Sequence, residues 1–416
     1  MSESQQTGGA TAAGATATGA PGAGVAAAGV GTAAGASAGM KIAHIEGFAT
    51  SFPVTGGVTL GIGRAVKRDA VIVKVTTEDG IIGWGESHHG RCPGAIGHLI
   101  NTTLRQLITG MHAYDVVGIW QRIYSRQLAS HGMGTASALA MSGIDQALWD
   151  IRGKAAGWPL YMLLGGSVKP VKAYAGGISL GFQPPDELVD EARALVAQGY
   201  RALKLRFGDS VKRDIERLTA VRKAFGTGID IMADANIGYQ VEDVRRVMPA
   251  LVEHDVLWLE EPFAPHDYRS YEVAASFGPI PLAAGENHHT RYEFTPLIES
   301  KSVRVLQPDL SKTGGITEGL RIAAMAAAHK LSINPHTSAS GLNMAASIHF
   351  LASIENMGWF EADVAKENLF RDRLTSRPDR LDENGCVQPG NAPGLGVEVD
   401  EAFLRAHPVI DGPAYV

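Results

Sequence analysis

The amino-acid sequence predicts an α/β fold: a (β/α)7β TIM-like barrel preceded by a small α+β N-terminal domain. Between residues 171 and 360, eight apolar runs of strand length recur about every 25 residues, which is the length of one βα unit of a parallel barrel. Amphipathic helical patterns fill the intervals between these runs. Before residue 165 the order differs, because strand patterns come first and helical patterns follow. The regular alternation favours a barrel over an open sheet.

Residues 1–39 are rich in Gly and Ala, and we expect them to form a disordered tail. Of the first 40 residues, 24 are Gly or Ala, so few large apolar side chains are available to offset the entropy of ordering. No Lys or Arg precedes Lys41, and the segment lacks the basic start and dense apolar core of a secretory signal. Met40 opens the first strand-like segment and is an alternative start of the natural chain.

Residues 40–165 predict the small α+β domain. A tight Asp79-Gly80 turn joins two apolar runs into a hairpin that ends at Glu86. Helical periodicity then covers residues 96–107, 116–128 and 136–157. Two Gly-rich or polar loops interrupt the domain, at residues 53–63 and 87–97. The second loop carries His88 and His89, which are either exposed to solvent or in contact with a substrate.

Residues 166–374 predict the barrel domain. Its strands are expected at residues 171–174, 202–205, 229–233, 256–259, 281–284, 303–307, 332–334 and 359–360. Amphipathic helices lie between them, for example at residues 186–198, 211–225 and 316–329. The alternation stops after Asp372, and a Pro/Gly-rich segment, residues 375–416, is expected to fold back on the first domain.

Three carboxylates follow three successive barrel strands in phase. Asp234, Glu260 and Glu286 are separated by 26 residues each, so they fall at the same end of their strands, where barrel sites are built. Each acid taken alone is more often a helix cap, but three in phase are hard to assign to capping. Converging anions repel one another unless a cation lies between them, and a set of oxygen ligands suits Mg²⁺.

Further polar residues follow the other strands. Lys204 and Arg206 lie two residues apart on the second strand, so both point to the same side. Asp309, His336 and Glu361 end the sixth, seventh and eighth strands at spacings of 23, 27 and 25 residues from the preceding strand end. All five are expected at the mouth that holds the three acids. Two simpler interpretations remain open: Lys204 only pairs with an acid, and His336 is a packed polar residue.

The composition fits a soluble enzyme. Hydrophobic residues make up 45% of the 416, and the net charge of -6 is spread without long runs, so neither nucleic acid nor a membrane surface is an expected partner. No apolar run is long enough to span a bilayer. Cys92 and Cys386 are the only cysteines, which fits a reducing cytoplasm and excludes a disulfide framework. We also expect a homo-oligomer.

These motifs resemble the enolase superfamily and, within it, the mandelate racemase-like group of acid-sugar dehydratase type. The resemblance runs from Met40 to the C-terminus and includes the seven strand ends, the Gly-Trp-Gly-Glu86 hairpin and Leu148-Trp-Asp150. It implies that the first domain is an α+β N-terminal capping domain, which covers the barrel mouth. It further implies roles for the site residues: Mg²⁺ ligands (Asp234, Glu260, Glu286), a base with its orienting acid (His336, Asp309), and an acid beside the substrate carboxylate (Glu361).

The chemistry implied is removal of the proton next to a carboxylate, with Mg²⁺ and Lys204 stabilising the resulting charge. Many relatives carry Lys-x-Lys on the second strand, but this chain has Arg206 at the second position, and arginine is a poor base. We therefore favour dehydration of a small sugar acid to a 2-keto-3-deoxy acid, with racemisation or epimerisation of a 2-hydroxy acid as the alternative. A metal-dependent hydrolase and a non-catalytic sugar-acid binder are less consistent with these residues.

Overall fold

The computed structural model describes residues 39–337 and 339–416. The tail predicted at residues 1–39 therefore lies, apart from Gly39, outside the described residues. Gly39–Val416 form one compact unit. Within that unit the predicted architecture is confirmed: a curved parallel sheet with helices follows an N-terminal part built on antiparallel strands. No helix in the described part of the chain is both long and apolar enough to cross a bilayer.

The N-terminal part is built on a three-stranded antiparallel sheet. Its strands are β1 (Ile42–Pro53), β4 (Lys67–Thr77) and β5 (Ile82–Ser87), in the order β1-β4-β5. The hairpin between β4 and β5 turns at Gly80, whose φ of +87° is accessible to glycine without strain. The loop predicted at residues 53–63 contains β2 (Thr59–Leu60), which pairs with β3 (Gly63–Arg64).

Helices cover this sheet. They are α1 (Pro93–Leu99), α2 (Arg105–Ile108), α3 (Val116–Ile123), α4 (Thr135–Ala156) and α5 (Leu160–Leu163), with π-helical turns at Ile100–Leu104 and Tyr124–Leu128. The Gly-Trp-Gly motif lets α4 lie directly on β5, because a Cβ at Gly85 would fall 2.1 Å from the carbonyl oxygen of Gly143. Trp84 between the glycines donates its backbone N–H to Asp150 at 2.9 Å, which joins the two sequence motifs.

Eight parallel strands form the barrel. They are β6 (Val171–Gly176), β7 (Ala202–Arg206), β8 (Asp230–Asp234), β9 (Val256–Glu260), β10 (Leu282–Ala284), β11 (Val305–Leu306), β12 (Ser332–Ile333) and β13 (Phe360–Asp363). From β6 to β12 each strand pairs with the next, and β13 pairs with β6. Between β12 and the segment before β13, Ile333 exchanges backbone hydrogen bonds with Asn356 and Gly358.

A helix follows each of the first seven barrel strands, which gives the (β/α)7β pattern. These helices are α6 (Pro185–Ala197), α7 (Val211–Phe225), α8 (Val241–Glu253), α9 (Tyr268–Ala274), α10 (Thr290–Ser300), α11 (Gly315–Ala328) and α12 (Gly341–Leu351). A π-helical turn at Phe370–Leu374 follows β13. The final elements are β14 (Cys386–Val387), which pairs antiparallel with β6, and α13 (Glu401–Ala406).

The barrel interior changes from apolar to charged along the strands. A cluster of six buried residues fills its lower part: Tyr174, Ala202, Met232, Trp258, Ala283 and Val305. Because side chains alternate along a strand, the residue two positions later points to the same side. On β7, β8 and β9 that residue is Lys204, Asp234 and Glu260. The predicted charged layer therefore lies directly above this apolar cluster.

The C-terminal segment contacts both parts of the unit. Tyr415 forms a backbone bridge with Ala65, and Lys74 of β4 pairs with Glu401 at 2.6 Å. Leu395 donates its backbone N–H to Asp150 at 2.8 Å, whereas β14 extends the barrel sheet.

Candidate active site

A cavity of about 430 Å³ lies at the carboxyl ends of the barrel strands. Arg206, Glu286 and His336 reach it from the barrel, and the N-terminal part contributes residues such as Arg68 and His89 to its wall. The volume is typical of a site for a small molecule. The other charged residues predicted at the mouth lie below this cavity, buried from solvent: Lys204, Asp234, Glu260, Asp309 and Glu361.

Lys204 is held by three carboxylates. Its Nζ lies 2.7 Å from Glu260 Oε1, 2.9 Å from Glu361 Oε1 and 3.3 Å from Asp234 Oδ2. Burial opposes the charge, yet Glu260 and Glu361 raise the pKa of Lys204 well above its ordinary value. Lys204 is therefore a permanent cation. The structure contains the pairing with acids that the sequence left open for this residue.

Arg206 is fixed by acceptors on both of its terminal nitrogens. Nη1 donates to the carboxylate of Asp234 and to Asn236 Oδ1 at 3.2 Å, and Nη2 donates to the backbone carbonyl of Gly177. Burial lowers the pKa of Arg206, but the opposite effect of Asp234 and the other nearby carboxylates is larger, so the pKa lies above its ordinary value. This side chain can donate hydrogen bonds into the cavity and cannot accept a proton.

The predicted metal ligands are paired with protein cations and amides. Glu260 Oε2 accepts hydrogen bonds from Gln307 Nε2 at 2.7 Å and Trp258 Nε1 at 3.2 Å. Burial and the neighbouring charge of Asp234 raise the pKa of Glu260 to about 7. Glu286 Oε1 lies 3.5 Å from Lys312 Nζ.

Among residues 39–337 and 339–416, no three Asp, Glu, His or Cys side chains are arranged around a common metal position. The three predicted ligands nevertheless fit a hard cation. Asp234, Glu260 and Glu286 offer only oxygen donors, and the charges of Asp234 and Glu286 act on Glu260. Glu261 adds a buried Oε1 without a hydrogen-bond donor, and burial and Glu286 raise its pKa well above its ordinary value. A divalent cation close to this side chain would lower that pKa and favour the ionised carboxylate.

His336 and Asp309 form a close pair. Nδ1 of His336 lies 2.6 Å from Asp309 Oδ2, and its Nε2 lies 3.2 Å from Glu286 Oε2. Asp309 Oδ1 is held by Ser311, through N and Oγ at 2.7 Å each, and by Asn343 Nδ2 at 3.0 Å. Burial opposes the imidazolium, but Glu286 and the other nearby carboxylates raise the pKa of His336 to about 9.

Glu361 does not line the cavity. Its Oε1 accepts from the backbone N–H of Gly177 at 3.0 Å in addition to the contact with Lys204. Its pKa lies below the ordinary value because Lys204 and His336 outweigh the effect of burial.

Several functional candidates are not evident from the sequence. Lys312 follows Asp309 by three residues on the same loop, and this proximity was the only signal for it. Glu261 follows directly on Glu260 in the Glu-Glu-Pro motif. Arg68 and Tyr415 enter the cavity from β4 and from the C-terminus, and no strand-end pattern points to them.

His88 and His89, in the loop predicted at residues 87–97, line the cavity and are half-buried. Their rings stack at 4.1 Å between centroids. Burial lowers the pKa of both imidazoles, to about 3 for His89, so both are neutral at physiological pH. Because both side chains line the cavity, they can contact a bound substrate, which is one of the two possibilities that the sequence left open.

The chain is similar to known proteins along most of its described length. Residues 46–165 match the mandelate racemase / muconate lactonizing enzyme N-terminal domain, and residues 187–403 match the enolase C-terminal domain-like family. An arabinonate dehydratase of Saccharolobus solfataricus is 33% identical over 342 residues, which cover 82% of this chain and 90% of that protein. A D-galactarolactone cycloisomerase of Agrobacterium fabrum is 33% identical over 355 residues, covering 82% and 92%.

A solved structure gives the same result. A member of the enolase superfamily from Polaromonas sp. JS666 is 54% identical, and its alignment covers 91% of this chain and 100% of that one with a TM-score of 0.89. Both parts of the fold thus agree with one group of proteins. The chain belongs to the mandelate racemase and muconate lactonizing enzyme family of the enolase superfamily.

Proposed function

We propose that this protein is a Mg²⁺-dependent dehydratase of a sugar acid. It removes the proton next to the substrate carboxylate and eliminates the β-hydroxyl, which gives a 2-keto-3-deoxy acid. The observation that carries the proposal is the His336–Asp309 pair, 2.6 Å apart, at a cavity whose floor is a layer of cations and carboxylates. The arabinonate dehydratase among its relatives supports the same reaction class.

His336 is the proposed base. With Asp309 accepting a hydrogen bond from Nδ1–H, neutral His336 carries its lone pair on Nε2, the nitrogen that faces the cavity side of the pair. The donors on the other oxygen of Asp309 prevent that carboxylate from rotating. General-base catalysis by such a positioned group is typically worth about 10²–10⁴-fold. The protonated ring can then donate to the departing hydroxyl.

Asp234, Glu260 and Glu286 are the proposed Mg²⁺ ligands. When bound, the ion supplies Lewis-acid stabilisation of the negative charge that develops on the substrate carboxylate. Lys204 holds a fixed positive charge beside two of these acids, and Arg206 offers hydrogen-bond donors to a substrate oxygen. Both remain cationic throughout, so neither removes a proton.

The alternative of a racemase or epimerase needs a base on each face of the substrate. Arg206 cannot serve as the second base, for the reason given above. His88 and His89 are neutral and line the cavity, and they are the observation that keeps this alternative in view. Dehydration requires one base and is the better-supported reaction.

Incubation of sugar acids and their carbon-2 epimers with enzyme and Mg²⁺ in D₂O tests the proposal. We expect keto-acid formation from one configuration at carbon 2 and no interconversion of the epimers. His336→Asn should abolish both deuterium exchange and dehydration, whereas His98→Asn, at an exposed position of α1, should change neither. Interconversion of the epimers by the unmodified enzyme would favour the racemase instead.

A further inference from the structure

Arg68 is a buried cation with an unused hydrogen-bond donor at the cavity. Its exposed fraction is 6%, and Nη2 pairs with Asp363 Oδ2 at 2.5 Å. Nη1 is also buried but has no hydrogen-bond partner. A buried guanidinium nitrogen without an acceptor is costly, and such a group needs a reason. Arg68 lines the cavity wall, so a ligand oxygen is the natural acceptor.

Asp363 engages only one terminal nitrogen of Arg68. The same carboxylate accepts hydrogen bonds from the backbone N–H of Ala365 at 2.9 Å and from Asn368 Nδ2 at 3.1 Å. Burial raises the pKa of Asp363, but Arg68 and Arg371 bring it below its ordinary value, so Asp363 stays ionised beside Arg68. Arg371 has a carboxylate partner of its own, Asp372, at 2.6 Å. Nη1 of Arg68 therefore remains available to an acceptor in the cavity.

Other cations surround the same wall. Arg91 lies 5.2 Å over the ring of Tyr415, and both residues line the cavity with Arg68. Lys67 lines it too, but Asp69 balances its charge at 3.2 Å. Arg68 and Arg91 act on His89, whose neutral form they favour in addition to burial. The wall contributed by the N-terminal part thus carries an excess of positive charge, separate from the cations on the barrel floor.

We propose that Arg68, with Arg91 and Tyr415, forms a second anion subsite that binds the far carboxylate of a sugar diacid. This inference rests on the proposed function, because it takes the first carboxylate of the substrate to lie on the barrel floor. One free guanidinium nitrogen, one further guanidinium and one phenol suit the two oxygens of a carboxylate. A sugar acid that ends in an uncharged alcohol leaves Arg68 Nη1 without an anionic partner.

Affinity measurements with an inactive variant test this subsite independently of catalysis. The affinity of a hexaric acid, of the hexonic acid of the same configuration and of the 6-phosphorylated hexonic acid is measured by calorimetry with Mg²⁺, using the His336→Asn variant so that no ligand is consumed. We expect the diacid to bind about tenfold or more tightly than the mono-acid, as for one charge-assisted pair. Equal affinities, tighter binding of the phosphorylated acid, or no binding of any of the three would each overturn the subsite.

Variants locate the effect. Arg68→Met in the same background should remove the preference for the diacid while the affinity for the hexonic acid is kept. Because Arg68 also pairs with Asp363, Arg91→Met, at an exposed position, provides a second variant that should reduce the preference without affecting the fold. Arg213→Met on α7, whose side chain is 67% exposed, is the matched control and should retain the full preference. A preference that survives both cavity variants contradicts the assignment.

Turnover by the unmodified enzyme distinguishes the two proposals. Dehydration of the diacid at a kcat/KM about tenfold or more above that of the hexonic acid supports both. Dehydration of the hexonic acid alone would overturn the subsite and leave the proposed reaction intact. Failure to dehydrate any sugar acid, together with a diacid preference in binding, would overturn the reaction and retain the subsite.

Discussion

Replacing Asp309 by Asn tests how the base is oriented. The change keeps the size of the side chain and removes one charge. In the structure, Oδ1 of Asp309 accepts three hydrogen bonds, two from Ser311 and one from Asn343, whereas Oδ2 contacts His336. An amide has one oxygen and one NH₂ group, so the oxygen must meet these three donors and the NH₂ group must then face His336.

This arrangement places the proton on the wrong nitrogen of His336. With an NH₂ group opposite it, Nδ1 must act as an acceptor, and the neutral ring then carries its proton on Nε2, where the base lone pair is needed. We expect kcat to fall by about 10³–10⁴-fold, as for the loss of a correctly protonated base in other triads. KM should change little, because Asp309 lies below the cavity and does not line it.

The assay measures keto-acid formation and carbon-2 deuterium exchange under the same conditions, together with the melting temperature. Asp190→Asn on α6, where the carboxylate is 75% exposed, is the matched control and should keep full activity. A folded Asp309→Asn enzyme that exchanges the carbon-2 proton within a few-fold of the normal rate would refute this account of His336.

Three further outcomes are expected. A chelator should abolish turnover, and added Mg²⁺ should restore it. Glu260→Gln should weaken Mg²⁺ binding measured by calorimetry. Full activity of the metal-free enzyme would contradict the ligand assignment. Gly85→Ala places a Cβ 2.1 Å from a backbone oxygen of α4 and should destabilise the fold by about 1–3 kcal/mol in chemical unfolding, unlike Gly94→Ala, whose Cβ meets no atom within 4 Å. Burial raises the pKa of Glu86 from 4.5 to about 8. The stabilisation that comes from its protonated form is therefore complete below pH 4.5 and is lost as the pH rises through 8. Glu86→Gln should make the free energy of unfolding less dependent on pH in this range. If the variant and the unmodified protein show the same dependence between about pH 5 and 9, Glu86 is ionised in the folded protein.

The sequence predicts the barrel and its strand ends well because both depend on local periodicity. Lys204, Asp234 and Glu260 share one orientation once each is placed at a strand end, since alternation along a strand is fixed by backbone geometry. Arg68 could not be found in this way. Its role depends on where β4 meets the barrel, and its partner Asp363 is 295 residues away in the chain.

Pairing between charges is also invisible in the sequence. The pattern of acids predicts a cation among them but does not show which protein cations approach the same carboxylates. In the structure Lys204 and Arg206 both contact Asp234, because the strand that carries them, β7, lies beside β8 with Arg206 opposite Asp234. The charge of Asp234 is therefore already balanced in part by two protein cations.

The contacts of Arg206 make a specific prediction about the second face of the substrate. Three acceptors hold its guanidinium: the carboxylate of Asp234, the amide oxygen of Asn236 and the carbonyl of Gly177. A lysine at this position has one nitrogen and a shorter reach, so it would keep the contact with Asp234 and lose the planar pair of donors. Close to that carboxylate it would stay protonated, as Lys204 does beside the same acids. Arg206→Lys should therefore lower dehydration without creating a second base, and the carbon-2 epimers should still not interconvert in D₂O. Epimer interconversion by this variant would show that a lysine here can release its proton, and that the identity of residue 206 alone separates a dehydratase from a racemase.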